Sequence, residues 1–478
     1  MKKVEWLWTM KKPQVPLAQG LHTRSVPIMQ KILSLKEDLP IKHADGDIYF
    51  GKRGVEAIKE QLIKSIRQDF HYPEKLQRRI EAPIKKLKDT VNLLKEKNPG
   101  KQSDEELIAS FFKGYRAIAE VTAFMSFKCT VQMSEILEKE VQLLLRQRIQ
   151  EKKDQGIPAA DDLFLLCSIP KRDSFMLQKQ KSMLAIGAAK QSGRETEGLI
   201  KKHAKDFGWV GIVMYAGRPY TEEYVMKELS EAAKTNCYSR LEALKKQKVE
   251  REQQITKYIA ALAFSAKEKD LINKFREWVH LRTYVKDMTS IGMEATVPWL
   301  DEIAKRIGVS YVDLLYLSHE ELKEIFSDGK TNLIRESNMR QKGWGYTLID
   351  GREAYFNYQN IGKIKDREIR GSGGIRGSPT YKGIVRGKAI IVTSVEDLDR
   401  IENGDILVTH MTTTNFVPYL SKVGAIVTDE GGITCHASIV SREMRIPCIV
   451  GTKNATRALR NGQIVEVRAD IGVVKVLK

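Results

Sequence analysis

The hydrophobic pattern of this chain changes once, near residue 380, and this change limits the folds that are available. Up to about residue 335, apolar residues recur at three- and four-residue spacing, as in 54–70, 104–154 and 221–265, which is typical of amphipathic helices. From Tyr381 onward, short β-branched runs such as GKAIIVTS and GAIVTD alternate with helical stretches, a pattern typical of an α/β domain. We therefore predict a multidomain protein with a mainly α-helical N-terminal domain and a C-terminal α/β domain.

Local signals refine this division. The runs GWGYTLIDG and REAYFNYQN meet at Asp350-Gly351, which predicts a β-hairpin. The segment 371–379 contains four glycines and two serines and is typical of a flexible linker. We predict a helical acceptor- or substrate-binding domain over 1–370 that ends in the small hairpin, a Gly/Ser linker over 371–379, and an α/β domain over 380–478.

Two further expectations concern the helices themselves. The segments 104–154 and 221–265 exceed an average helix, so each should break into antiparallel neighbours or form a coiled-coil-like hairpin. Ser318 precedes a short helical run with Glu321 three residues later, which is the arrangement of a capping box.

Composition excludes several classes of protein. The 478 residues carry a formal net charge of +19, but most lysines and arginines are interleaved with acids on helical segments and indicate solvated helix faces. We therefore do not expect a nucleic-acid partner. The sequence has no apolar run of the ~20 residues that a membrane helix needs, and the five cysteines lack CxxC spacing, which suggests reduced thiols. We expect a cytoplasmic protein without a membrane partner.

The strongest chemical signal lies in VTDEGGITCHASIVSREMRIPCIVG, residues 427–451. A predicted buried strand runs into Gly431-Gly432, and an amphipathic helix begins at or just after His436. Paired glycines permit close backbone approach and a helix N-terminus offers free N–H groups to an anion. A neutral imidazole is nucleophilic at cytosolic pH, so His436 could accept a phosphoryl group. The alternative is that His436 only caps a helix beside a glycine turn.

The full string GGITCHASIVSREMRIPCIVG, together with GIVRGKAIIV, NGDILVTHMTTTNFVPYLSKVGAIVTD and NGQIVEVRADIGVVKVL, resembles the mobile phosphohistidine, or swivelling, domain of the phosphoenolpyruvate-utilising enzymes. The resemblance covers about residues 380–478 and is closest to the phosphoenolpyruvate synthase version. It implies that His436 is the phosphoryl carrier. It also implies a phosphate pocket formed by Gly431, Gly432, Thr434 and Thr412. The residues that would support this pocket are Cys435, Arg442 and Glu443.

The resemblance also implies partners. In that family the histidine domain moves between an ATP-grasp domain and a second site, but this sequence has no GxxxxGK[ST] loop and no long α/β region ahead of residue 380. The order of helical domain and histidine domain resembles the corresponding parts of rifampin phosphotransferase and the split phenylphosphate synthase. We therefore expect a separate ATP-grasp subunit that binds ATP and Mg, a small-molecule acceptor, and neither a tightly bound cofactor nor a metal site in this chain.

The helical region would then hold the acceptor. Aromatic and basic residues concentrate in 202–224 and 275–287, where arginines could bind a carboxylate or a phosphate. Alternatively, the aromatics pack between helices and the arginines face solvent. Of the remaining histidines only His410, beside Thr412, is expected to approach the carrier site. The acceptor-binding candidates are His203, Trp209, Tyr215, Arg218, Arg276 and Arg282.

These observations predict a phosphotransferase component of a dikinase-type system, in which His436 carries a phosphoryl group from ATP to a small molecule. A second class of function remains open. The chain could instead be a non-catalytic phosphohistidine relay or regulatory protein whose basic helical domain binds a partner protein or nucleic acid.

Overall fold

The structure is a computed structural model that describes residues 6–11, 15–44, 47–125, 129–152, 156–326, 330–349, 352–357, 375–393, 397–412 and 416–477. No helix in these ranges is long and apolar enough to cross a membrane. Contacts between residues divide the chain into two compact units. The first contains Met1–Met133, Ile212–Pro219 and Tyr284–Arg367, and the second contains Ser134–Gly211, Tyr220–Thr283 and Glu368–Lys478.

This division runs through the helical region. The second unit therefore combines helices of the predicted acceptor domain with the whole C-terminal domain. The elements before residue 358 are, in chain order, β1 (Trp6–Lys11), α1 (Pro16–Leu33), β2 (Ile41–Ala44), β3 (Asp47–Gly51), α2 (Lys52–Gln68), α3 (Tyr72–Glu96), α4 (Asp104–Met125), α5 (Cys129–Lys152), α6 (Ala160–Cys167), α7 (Phe175–Gln191), α8 (Glu197–Phe207), β4 (Ile212–Val213), β5 (Ala216–Gly217), α9 (Glu222–Ala232), α10 (Cys237–Ala261), α11 (Ala266–Ile307), α12 (Tyr311–Leu315), α13 (His319–Lys323), α14 (Lys330–Gln341), β6 (Trp344–Ile349) and β7 (Arg352–Asn357).

The C-terminal elements alternate between strands and short helices. They are β8 (Ile375–Arg376), β9 (Ser378–Tyr381), β10 (Ile384–Val392), β11 (Ile406–Thr409), α15 (Val417–Leu420), β12 (Ala425–Thr428), α16 (His436–Met444), β13 (Cys448–Val450), α17 (Ala455–Ala458), β14 (Ile464–Arg468) and β15 (Val473–Val476). The predicted fold class, a helical N-terminal region followed by an α/β domain, is confirmed.

Each of the two long helical segments is divided into two helices, as its length predicts. Residues 104–154 form α4 and α5, and residues 221–265 form α9 and α10. The second break is capped, because the Asn236 side chain accepts a hydrogen bond from the backbone N–H of Ser239. The capping box at α13 is also confirmed: Ser318 Oγ accepts from the Glu321 N–H at 3.2 Å and the Glu321 carboxylate accepts from the Ser318 N–H at 2.7 Å.

The first unit contains an antiparallel sheet in the order β1-β3-β2-β6-β7. Strands β6 and β7 pair with Ile349 opposite Arg352, which confirms the predicted hairpin; its turn residues, Asp350 and Gly351, lie outside the described residues. The hairpin is not isolated, because β6 also pairs with β2, with Lys42 opposite Thr347. A lone hairpin is marginal in water, so the N-terminal strands supply the partners that make this sheet stable.

The second unit contains a sheet of eight described strands in the order β8-β15-β14-β10-β11-β12-β13-β9. Strands β8 and β9 pair with β15 and β13, so the described part of the predicted linker, from Ile375 onward, belongs to this sheet. Residues 371–374 lie outside the described residues. The short β-branched strands fit here because Val427, Val465 and their neighbours form one buried apolar cluster.

The central strands of this sheet place the functional turn. Strands β10, β11, β12 and β13 run parallel to one another. The carboxyl ends of parallel strands meet at one edge of a sheet, where ligands commonly bind. Thr409 at the end of β11 is paired with Thr428 at the end of β12. The loop containing Thr412 and the turn containing Gly431 therefore leave the sheet at the same edge.

Candidate phosphohistidine site

The turn between β12 and α16 has a conformation that glycine makes possible. Gly431 has a φ of +116°, a region that residues with a Cβ atom rarely occupy. A Cβ atom built at this position would lie 2.7 Å from Cys435 Sγ. The turn is closed by the backbone N–H of Cys435, which donates to the Gly432 carbonyl at 2.9 Å. It positions His436 as the first residue of α16, where the first-turn N–H groups are available to an anion.

We expect Gly431→Ala to lower the free energy of unfolding of the C-terminal sheet by about 2–3 kcal/mol, because alanine strains this backbone conformation. Gly432→Ala is the matched control, since its Cβ atom would meet no heavy atom within 4 Å. Denaturant-dependent hydrogen exchange of β10–β13 measures both. Equal exchange in the two variants would contradict the role assigned to Gly431.

The imidazole of His436 is held by the loop after β11. The Thr412 hydroxyl oxygen lies 2.8 Å from His436 Nδ1, and the Thr412 side chain is buried. In the tautomer in which Nδ1–H donates to this hydroxyl, Nε2 holds the lone pair and is the nucleophilic atom. The residue as a whole is half-buried, although Nε2 itself is buried. A phosphoryl donor therefore reaches Nε2 only after this atom is uncovered.

A second buried network, made of hydrogen bonds to Asp429, holds the loops at the same edge of the sheet. The Asp429 carboxylate, directly after β12, accepts from His410 Nδ1 at 3.0 Å and from the Thr456 N–H at 3.1 Å. Burial raises the pKa of Asp429, but these hydrogen bonds outweigh it, so the pKa lies below its usual range. His410 thus lies at the carrier edge, as expected. Its contact with Asp429 ties the β11 loop to the β12 turn.

The hydroxyl of Thr434 connects the glycine turn to two helices of the same unit. It accepts from Arg282 Nη1 of α11 at 2.5 Å and donates to Glu138 Oε2 of α5 at 3.1 Å. Burial raises the pKa of Glu138 and lowers the pKa of Arg282. Because the only hydroxyl proton of Thr434 is directed at Glu138, Thr434 can donate to a phosphoryl oxygen only after that bond opens.

Arg442 and Glu443, on α16, also contact helical residues. Arg442 donates to the Ser438 carbonyl oxygen at 2.8 Å, to the Ile433 carbonyl oxygen and to Ser168 Oγ. Burial lowers its pKa to about 10. The Glu443 carboxylate accepts from Ser174 Oγ at 2.6 Å. Both side chains therefore link α16 to the segments at the end of α6 and the start of α7. Cys435 precedes His436, with Sγ 3.2 Å from Ser438 Oγ.

Burial raises the pKa of Glu443 to about 7, and this gives a testable pH dependence. The folded state favours the protonated carboxyl, so the contribution of Glu443 to stability is complete below its unfolded pKa and is lost as pH rises through about 7. We expect Glu443→Gln to stabilise the second unit relative to wild type at pH 8, with a gain about 2–3 kcal/mol larger than at pH 4.

Urea unfolding at the two pH values measures this difference. The matched control is Glu402→Gln, since Glu402 is an exposed glutamate of the same domain. A pH dependence in Glu443→Gln identical to that of wild type would contradict the assignment.

The structure separates the acceptor-binding candidates. Arg282 is the one of the six for which a contact with the histidine turn is described. In the second unit, His203 is buried with Nδ1 2.8 Å from Ser182 Oγ, Trp209 packs edge-on against Phe175, and Arg276 pairs with Glu252 and donates to the Ile169 carbonyl oxygen. In the first unit, Tyr215 is buried beside Thr296, and Nη1 of Arg218 donates to both carboxylate oxygens of Asp301.

For most of the candidates, the contacts described are with other residues of the helical region, as in packing between helices. Burial lowers the pKa of His203 to about 3, so its ring is neutral at physiological pH. An acceptor-binding role for the six residues stays a prediction. Sequence reasoning missed Glu138, Ser168, Ser174 and Asp429. Only Asp429 had a local signal, because an acid directly after a buried strand lies at the edge where ligands bind.

Part of the domain that carries this site matches a known family of domains. Residues 401–472 match the family of the PEP-utilising enzyme mobile domain, which confirms the resemblance for the C-terminal part of the chain. The chain is similar to a probable phosphoenolpyruvate synthase of Methanothermobacter thermautotrophicus, with 46% identity over 168 residues, which are 32% of this chain and 24% of that protein.

Two further relatives match over a similar share of this chain. The phosphoenolpyruvate synthase of Pyrococcus furiosus is 34% identical over 181 residues, which are 36% of this chain and 22% of that protein. The rifampicin phosphotransferase of Bacillus subtilis is 30% identical over 168 residues, which are 34% of this chain and 19% of that protein. The chain therefore spans about a quarter or less of the length of these relatives. A solution structure of Enzyme I aligns with 79% of this chain and 81% of its own at 12% identity, but the TM-score of 0.16 is too low to indicate a common fold.

Proposed function

We propose that this chain is the phosphotransferase component of a dikinase-type system. His436 carries a phosphoryl group from ATP, bound by a separate ATP-grasp subunit, to a small-molecule acceptor. The observation that carries this proposal is the contact between Thr412 Oγ1 and His436 Nδ1. In the tautomer in which Nδ1–H donates to Thr412, the nucleophile is Nε2, at the N-terminus of a nine-residue helix. The names of the relatives, phosphoenolpyruvate synthase and rifampicin phosphotransferase, support the same class of chemistry.

The reaction divides into two stages. In the first, the lone pair of Nε2 attacks the β-phosphorus of ATP, an N–P bond forms, and the P–O bond to AMP breaks, which leaves a pyrophosphorylated histidine. Water then attacks the γ-phosphorus, and the P–O bond between the β- and γ-phosphorus breaks. The products of this stage are phosphohistidine, AMP and phosphate. In the second, an acceptor oxygen attacks the same phosphorus, the N–P bond breaks, its electron pair returns to the imidazole, and the acceptor loses its proton. Dividing one difficult transfer into two easier ones is the usual advantage of a covalent intermediate.

Because Nε2 is covered, the carrier domain must move before Nε2 can be phosphorylated. A position in which Nε2 is buried does not admit the phosphoryl group of ATP from another subunit. The C-terminal domain would therefore leave its contacts with α5, α7 and α11 to be phosphorylated and return to them afterwards. The bond from Arg282 to Thr434 is one of the contacts that this movement would break and remake.

The experiment uses ATP labelled at the β-phosphate. The chain is incubated with a candidate ATP-grasp protein, sought in a reading frame next to its gene, and, in parallel, alone. We expect acid-labile, base-stable label on this chain only when the partner is present. A second arm replaces ATP with labelled phosphoenolpyruvate, which identifies the donor. If an active partner transfers no label from either donor, the proposal is wrong; a phosphorylated relay without an acceptor product would favour the regulatory alternative.

A further inference from the structure

The second unit contains a cavity of about 360 Å³ away from the histidine turn, within the size range of small-molecule sites. Helices α7, α9 and α10 form one wall, and the C-terminal domain forms the other through segments near α15 and the end of α16. Both walls contribute aromatic and basic side chains. Tyr224 of α9 and Arg240 of α10 come from the helices, and Tyr419, Lys422 and Met444 come from the C-terminal domain.

The cavity has an apolar and aromatic lining. The Tyr224 ring stacks on Tyr220 with centroids 3.9 Å apart, and Tyr419 is held by a 2.7 Å hydrogen bond from its hydroxyl to Asp399. Met183 and Met444 add flexible apolar surface, which adapts to the shape of a bound ring. The two tyrosines come from opposite walls, so an aromatic group bound in the cavity has aromatic surface from both walls.

The lining carries more positive than negative charge, with five basic and three acidic side chains, of which Asp399 is one acid. Glu228 pairs with Lys179 through two contacts of 2.6 Å, and Glu231 pairs with Lys234 at 2.8 Å. Three further cations line the cavity, and within the described part of the chain none of them forms an ion pair with a carboxylate. These are Lys227, Arg240 and Lys422. Two come from the helical wall and one comes from the C-terminal domain, so an anion in the cavity would be attracted from both sides.

The cavity lies apart from the phosphoryl carrier. Of α16, only its last residue, Met444, lines the cavity, whereas His436 is its first residue. Eight residues of helix correspond to about 12 Å along the axis. A ligand in the cavity is therefore not positioned to receive a phosphoryl group from His436 in this arrangement.

We propose that this cavity binds a small aromatic anion at a site separate from the phosphotransfer position. Because its two walls belong to the helices and to the C-terminal domain, the bound ligand ties these parts of the second unit together. If His436 is the carrier, as proposed above, the ligand would hold the carrier domain in the position in which Nε2 is covered. The binding itself does not depend on that function.

The test uses anilinonaphthalene sulfonate as the probe with the full chain. We expect a saturable rise in its fluorescence and a dissociation constant raised about tenfold by Arg240→Gln and by Lys422→Gln, which remove one cation from each wall. Lys257→Gln is the matched control, since it is an exposed lysine of α10 that does not line the cavity. The uncharged analogue phenylnaphthylamine should bind at least about tenfold more weakly.

A second readout separates specific binding from adhesion to apolar surface. The probe should slow hydrogen exchange in α9 and in the segment around α15 together. At a probe concentration near the wild-type dissociation constant, Arg240→Gln should reduce this protection without changing exchange in the free protein. Non-saturable binding, or equal dissociation constants for wild type, both variants and the control, would overturn the proposal. Neither outcome bears on phosphorylation of His436, so failure of this site and failure of the proposed function are distinguishable.

Discussion

His436→Asn should reduce the incorporation of label from ATP by at least about 10³-fold in the presence of the ATP-grasp partner. Asparagine is tolerated at helix N-termini and keeps a polar group near Thr412, so the turn should fold. It has no ring nitrogen with a nucleophilic lone pair, however, and removing a covalent nucleophile typically abolishes nearly all of the catalysis. Rapid quench followed by alkaline separation of protein-bound label measures the effect.

The matched control for this variant is His71→Asn. His71 is exposed in the first unit and lies outside the C-terminal domain, so its replacement should leave incorporation at the wild-type rate. Equal incorporation by wild type and His436→Asn would show that the label resides elsewhere and would remove the basis for the carrier assignment.

Thr412→Val should slow phosphorylation of His436 by about 10- to 100-fold. Valine has nearly the shape of threonine but removes the hydroxyl that lies 2.8 Å from Nδ1. The ring then loses the hydrogen-bond partner that orients it and that accepts from Nδ1–H in the tautomer with the lone pair on Nε2. Loss of such an orienting group can cost far more than this in other enzymes. Single-turnover transfer from the loaded partner measures the rate directly.

Thr412→Ser keeps the hydroxyl and should retain most of the wild-type rate. The pair of variants also separates positioning from packing, because a packing role would make the smaller serine the more damaging replacement. A wild-type rate in Thr412→Val, or a slower rate in Thr412→Ser than in Thr412→Val, would contradict the orienting role of this hydroxyl.

The features that could be predicted from the sequence depend on neighbouring residues. The turn from Gly431 to His436 spans six positions, and its glycine conformation and helix start follow from local chemistry. The capping box at Ser318 and the hairpin from β6 to β7 are equally local. The change of hydrophobic period near residue 380 likewise determined the fold class, because each period specifies one type of element.

The remaining features depend on contacts between distant residues. Arg282 and Glu138 reach Thr434 across 152 and 296 positions, and periodicity shows which face of a helix is buried but not what covers it. The pairing of β2 with β6, which joins the two ends of the helical region, could not be predicted for the same reason. Residues from Ile375 to Pro379 resembled a linker in composition, yet edge pairing with β15 and β13 places them in the sheet.

The central claim, that His436 carries the phosphoryl group on Nε2, is tested most directly by phosphorus NMR of the loaded chain together with peptide mapping. The account predicts one phosphoryl group on the peptide that contains His436, with the chemical shift of Nε2-phosphohistidine and no signal in His436→Asn. A phosphoryl group on Nδ1 or on any other residue, with the ATP-grasp partner active, would contradict it.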